Sequence, residues 1–168
     1  VGKPGGKFSS LFDKTEDEWN EFGKLLSSYV DIFQDNGINL GYHNHSFEFN
    51  PLPSGKMPIE CILDHNENLK FEIDLGWTVA GKSDPIFWIN KYSSKIIACH
   101  LKDFTSQNLD LIDHDSQCSI GEGFINWKEI LTEVLKTNCD IFSLEHDNPK
   151  DYKDYVIKSL QFLKSLEV

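Results

Sequence analysis

The chain has 168 residues, with 16 lysines and no arginine against 27 Asp and Glu, for a formal net charge of −11. That balance argues against nucleic acid and against an anionic membrane surface as partners, because both are held through clustered cations and arginine makes most bidentate phosphate and base contacts. No run approaches the roughly 18 apolar residues of a spanning helix and no charged-then-apolar leader opens the chain, so a soluble protein is expected.

Thr15-Glu-Asp-Glu18 is a capping box. Trp19, Phe22, Leu25, Leu26, Tyr29, Ile32 and Phe33 follow at helical spacing until Asn36-Gly37 supplies a left-handed stop, which predicts a helix over 15–35. Ile38 to Phe49 reads as a strand closed by Pro51 and Pro53, residues 58–66 as a short helix or turn, and Leu69 to Asp74 as a second strand. Ser83-Asp84-Pro85 starts a helix with proline in its first turn, running to about Tyr92. Lys95 to Leu101 is a nearly continuous apolar run, the mark of a strand buried on both faces. A polar stretch follows from Asp103 to Glu122. Asn126-Trp-Lys-Glu129 has the form of another capping box and leads into Ile130, Leu131, Val134 and Leu135. Asp140 to Glu145 is a fourth strand, and Asn148-Pro149 opens a last helix carrying Tyr152, Val156, Leu160 and Leu163.

A helix followed by four β-α units implies a parallel sheet with covering helices. There is no break in composition, so residues 1–168 are expected to form one domain. Four units are half of an eight-fold (β/α) barrel, which normally needs at least about 200 residues, leaving a half-barrel fragment or a small open sheet as the alternatives. The start at Val1 and the lone Met57 read as a piece of a longer product, although a removed leader would look the same. The four cysteines, Cys61, Cys99, Cys118 and Cys139, lie at least 19 residues apart without a CxxC, which speaks against structural zinc and against a redox motif. Cys99 and Cys139 sit in apolar runs and read as buried free thiols.

Chemistry in α/β proteins gathers at the carboxyl ends of the strands. Here every strand ends in potential ligands: Tyr42-His-Asn-His-Ser-Phe-Glu-Phe49, Phe71-Glu-Ile-Asp-Leu-Gly-Trp77, Ala98-Cys-His-Leu-Lys-Asp103 and Ser143-Leu-Glu-His-Asp147. A lone His at such a place is more often a hydrogen-bonded structural residue; four strands ending alike point to a metal or acid-base site. Period-2 geometry puts His43 with His45, Glu72 with Asp74, and His100 with Lys102 on common faces. His43, Asp74, His100 and Glu145 together make two imidazoles and two carboxylates, a set suited to one divalent ion, Mn, Mg, Co or Zn, with positions left for substrate oxygens.

The series YHNHSFEF, FEIDLGWTVAGKSDP, IIACHLKD, IGEGFINW and SLEHD resembles the sugar phosphate isomerase/epimerase superfamily, the xylose-isomerase-like TIM barrels, over roughly residues 15 to 166. The resemblance is to the C-terminal half of that barrel, strands five to eight, with the N-terminal half absent. It implies one divalent metal held from those strands, with Asp74 on strand six, His100 on strand seven and Glu145 on strand eight. Strand five departs from the usual Leu-x-Leu-Glu-Asn-His: Leu40-Gly-Tyr-His43-Asn44-His45 places His43 where the first Glu stands, and Glu48 is the alternative ligand.

The resemblance implies a metal-dependent sugar isomerase or epimerase. In that chemistry an ion chelating a carbonyl and an adjacent hydroxyl acidifies the C–H between them and stabilises the enediolate left by proton removal. Glu145 is expected as base and ligand with His45 or Glu48 opposing it, and Lys102 as a group for an oxyanion or substrate hydroxyl. Glu48 would need its pKa raised by burial. The same enediolate can expel a leaving group, so a lyase, dehydratase or keto-glycoside-cleaving enzyme is the runner-up. Outside that class stands an inactive or truncated half-barrel acting as a binding module. The expected partner is a small carbohydrate or polyol, with the absence of arginine disfavouring a phosphorylated one. A homodimer or the missing N-terminal half is expected to cover the open sheet edges. A cytoplasmic site is slightly favoured, a periplasmic or secreted one being open if a leader was removed. Asp103 is expected to orient its neighbours as readily as to react, and Gly121-Glu-Gly123 to shape the loop after strand seven.

Overall fold

A computed structural model describes residues 14–112 and 114–167. The reading of the chain's start at Val1 and both ends of the expected 1–168 domain therefore reach outside the described residues, as does the side chain of His114. The first helix, α1 (Glu16–Gln34), opens as its sequence dictates: Thr15 accepts from the Glu18 backbone while the Glu18 carboxylate takes the Thr15 N–H at 2.7 Å. It closes through Gly37, whose φ of 72° is the left-handed conformation glycine tolerates best.

Four parallel strands follow: β1 (Gly41–His43), β2 (Lys70–Asp74), β3 (Ile96–Leu101) and, later in the chain, β6 (Ile141–Leu144), in the order β1-β2-β3-β6. Their register places His43 level with Glu72, Asp74 level with His100, and His100 level with Ser143. Tyr42, Phe71, Ile73, Cys99 and Leu101 point to the helix side and are buried with Trp19, Ile62 and Val134. The opposite face carries the alternate residues, His43, Glu72, Asp74 and His100, and gathers the polar groups. The helices are α2 (Pro58–Leu63), α3 (Leu75–Ala80), α4 (Pro85–Lys91), α5 (Trp127–Val134) and α6 (Tyr152–Ser165).

Several expectations are corrected. The strand expected over 38–49 ends at His43, and Phe47–Phe49 form a 3-10 turn, because the Glu48 carboxylate takes the His45 N–H at 2.8 Å and folds the chain back. Helix α3 was not anticipated; Asp74 caps it by accepting from Trp77 N at 2.7 Å. The polar stretch 103–122 contains a two-stranded antiparallel ribbon, β4 (Asp103–Phe104) with β5 (Gln117–Cys118). The last helix begins after Asp151, whose side chain accepts from Lys153 N and Asp154 N, rather than at Pro149. On α1, Trp19 is buried but Leu25, Tyr29, Ile32 and Phe33 are exposed, since the helix flanks an edge strand with no further strand beyond it among the described residues. Cys99 and Cys139 are free and buried as expected, with their sulfurs 3.3 Å apart. None of the described helices is long and apolar enough to cross a membrane.

Candidate metal centre

Each of the four parallel strands delivers one side chain to a common point above the sheet. His43 ends β1, Asp74 ends β2, His100 lies near the end of β3, and Glu145 follows β6 directly. One donor atom from each of these four lies within 4.8 Å of the others. Asn44 locks the first two strand ends together: its amide oxygen accepts from Asp74 N at 2.9 Å and its amide nitrogen donates to Asp74 O at 3.1 Å. That clamp fixes the height of His43 against Asp74.

The imidazole of His100 is gripped at both edges, with Nδ1 2.5 Å from Glu145 Oε2 and Nε2 2.6 Å from Glu72 Oε1. The ring of His43 packs 4.4 Å from it, centroid to centroid. Burial alone would lower the pKa of His100, but the hydrogen bonds to Glu145 and Glu72 outweigh it and raise the pKa to about 9. His43 goes the other way, down to about 4, through burial and the neighbouring imidazoles, so it stands neutral and ready to donate a lone pair. The bond from His100 holds Glu145 below the usual carboxylate range, and burial lifts Asp74 to about 7 against the pull of Lys102.

Two buried atoms here have no hydrogen-bond partner: His43 Nδ1 and Asp74 Oδ2. Orphaned polar atoms in a protein interior are costly, and a shared metal ion is the kind of partner that satisfies an imidazole nitrogen and a carboxylate oxygen at once. The donor set fits a divalent ion.

Lys102 is wholly buried, and its ammonium lies 3.1 Å from Asp147, 3.7 Å from Glu145 and 3.9 Å from Asp74. It also sits 4.6 Å from the centre of the Trp77 ring. Gln117, from β5, donates to the same Asp147 oxygen and accepts from Asp147 N at 2.8 Å, so the loop after β3 holds the loop after β6 in place. His45 stands beside this group, its ring stacked on Phe47 at 5.7 Å and 5.3 Å from His43.

Glu48, the alternative strand-five ligand, is not among the converging four. It is wholly buried, with one oxygen taken by Tyr42 Oη at 2.6 Å and the other by His45 N at 2.8 Å. Reading the sequence alone missed Asn44, Asp147 and Gln117. Asp147 stands in the quoted SLEHD, where Glu145 drew the attention, but nothing in the sequence pairs Gln117 with it. His146 turns away from the four converging residues, accepting from Asn148 N and packing on Tyr155.

Known proteins share this arrangement of elements. The family model described as xylose isomerase-like TIM barrel matches residues 4–166. Inosose dehydratase of Bacillus thuringiensis is 22% identical over 173 residues, which take in 89% of this chain and 55% of the relative. The chain thus spans about half the length of the curated relatives it matches. A sugar phosphate isomerase/epimerase from Parabacteroides distasonis superposes with a TM-score of 0.75 at 23% identity, covering 92% of this chain and 54% of the other. The IolI protein, solved with a bound zinc atom, gives a TM-score of 0.70 at 16% identity, covering 91% and 58%. At such identities the solved structures speak to the fold alone.

Proposed function

Because the chain belongs to the xylose isomerase-like TIM barrel family, we propose that it is the metal-holding part of an enzyme that removes a proton next to a carbonyl in a small carbohydrate or polyol, isomerising or epimerising it. The observation that carries this reading is the convergence of His43, Asp74, His100 and Glu145 with two of their buried atoms lacking a hydrogen-bond partner. One divalent ion, Mn, Mg, Co or Zn, would supply Lewis acidity to a carbonyl and its neighbouring hydroxyl. The four converging residues would hold it.

The chain's own groups divide the remaining work. Glu145, kept ionised by His100, is the proposed base for the C–H proton. Lys102 neutralises negative charge growing on the substrate oxygen; its burial makes that interaction stronger than it would be in water. His45 is the proposed opposing group, handling the proton on the other face. Glu48, bound to the His45 backbone, sets the turn that presents His45 and is proposed as a positioning residue in place of the catalytic role expected from sequence.

A second reading is loss of water from the carbon beyond the acidified one. The inosose dehydratase relatives favour it, and the Lys102–Asp147 pair offers a proton for the departing hydroxyl. In D₂O, deuterium gained at the carbon next to the carbonyl without loss of mass supports isomerisation or epimerisation; an eliminated water supports the dehydratase. Near-stoichiometric zinc or manganese uptake by calorimetry, lost in His100→Ala and Glu145→Ala, is the expected first result. No uptake by the parent chain overturns the reading. Uptake with no exchange on any ketose or inosose leaves a binding module.

The sheet ends at β1 on one side and β6 on the other, and the chain matches about half of its curated relatives. We propose that this is the C-terminal half of a barrel, closed by four further strands from another segment or from a second copy. Sedimentation of the 168-residue chain distinguishes the two: a stable dimer supports the second copy.

A further inference from the structure

Glu72 lies on β2 two residues before Asp74, on the same face of the sheet and level with His43. Its Oε1 meets His100 Nε2 at 2.6 Å, across two strands, while Glu145 Oε2 meets Nδ1 at 2.5 Å. With His43 packed against its ring, His100 is held at two edges and over one face. The two carboxylates differ in place. Glu145 belongs to the group whose donor atoms converge within 4.8 Å, and Glu72 stands outside it on the far edge of the imidazole.

An imidazole offers a lone pair through one nitrogen when the other carries the proton, and a carboxylate accepting that N–H fixes which is which. We propose that Glu72 is the positioning residue for His100: by accepting the Nε2 proton it turns the Nδ1 lone pair toward the space shared with Asp74 and Glu145, and it stops the ring from rotating out of it. The proposal rests on the metal reading above and adds how this chain prepares its strand-seven ligand. It also gives this half-buried carboxylate on the open face of the sheet its partner, the imidazole.

The test is zinc titration of the 168-residue chain, parent against Glu72→Ala and Glu72→Gln, followed by ¹⁵N spectra of the histidine rings in the zinc-loaded proteins. Glu72→Ala is expected to weaken zinc binding about 10- to 100-fold. Glu72→Gln keeps an acceptor for the N–H but loses the charge, and is expected to recover part of that loss while staying at least about threefold weaker than the parent. In the parent, the His100 Nε2–H is held by Glu72 and is expected as a downfield, slowly exchanging signal; in Glu72→Ala it is expected to exchange with water and disappear. Parent-like zinc affinity in both variants, or a slowly exchanging Nε2–H retained in Glu72→Ala, overturns the proposal while leaving the metal centre standing. Absence of zinc uptake by the parent overturns both. Should Glu72→Ala fail to fold by circular dichroism, the near-isosteric Glu72→Gln decides on affinity alone.

Discussion

Asp103 accepts from Phe104 N, Gly121 N, Gly123 N, Ile125 N and Trp127 Nε1, at 2.8–3.4 Å, and has no exposed surface. With both oxygens engaged by the loop and helix that follow β5, it shapes the rim of the site, which is the orienting side of what its sequence position allowed. Asp103→Ala leaves several buried N–H groups without an acceptor, and is expected to cost about 3 kcal/mol or more in urea denaturation. Glu48 makes a second residue-scale prediction. Burial raises its pKa to about 7, against the hydrogen bonds from Tyr42 and His45 that favour the charge. An acid that holds its proton more tightly when folded contributes its full stability below its ordinary 4.5, loses it as pH rises toward 7, and does not regain it above. The loss is at most about 3 kcal/mol. Glu48→Gln keeps an oxygen for His45 N and an amide for Tyr42 Oη, so its stability is expected to stay flat between pH 5 and pH 8 while the parent's declines; parallel curves would contradict this.

At the scale of elements, what was legible followed from local chemistry. The Thr15 capping box, the apolar run of β3 and the Asp84-Pro85 start of α4 all appear where their residues put them, because each signal is satisfied within a few residues of itself. What was not legible depends on partners distant in sequence. The over-long first strand failed because Asn44 binds the end of β2 and Glu48 binds back on His45, neither of which an alternating pattern reveals. All four converging residues were readable as strand-end residues, three of them at positions shared with a known family; that Glu48, the alternative to His43, stands apart from them needed the turn. Helix α3 went unseen since six residues carry little periodicity, yet it brings Trp77 under Lys102. Its approach to β3 depends on Gly76: a Cβ there would meet Lys102 O at 2.4 Å and Lys102 Cβ at 2.7 Å. Gly76→Ala is therefore expected to cost about 1–3 kcal/mol and to shift Lys102, with the cost read from thermal melts and the shift from the lysine Nζ resonance.

At the scale of the molecule, apolar side chains stand exposed at both ends of the sheet: Leu25, Tyr29, Ile32 and Ile38 on the β1 side, Ile141, Phe142, Ile157 and Leu160 on the β6 side. An open strand edge with such flanks invites pairing with another chain. The isolated chain is expected to associate with rising concentration, and Phe142→Lys to weaken that association in sedimentation runs; unchanged behaviour would place the contact elsewhere. The positions of the four proposed ligands carry a different consequence. At 43, 74, 100 and 145, they come one from each β-α unit, so no partly ordered chain lacking a strand owns the whole set. An ion that binds only the complete set acts as a thermodynamic ligand of the native state, tipping the folding equilibrium toward it. Each tenfold rise in free ion above the dissociation constant adds about 1.4 kcal/mol to the unfolding free energy. The melting temperature should therefore climb with the logarithm of zinc concentration, and a Glu145→Ala chain should lose that slope whether or not any substrate is known.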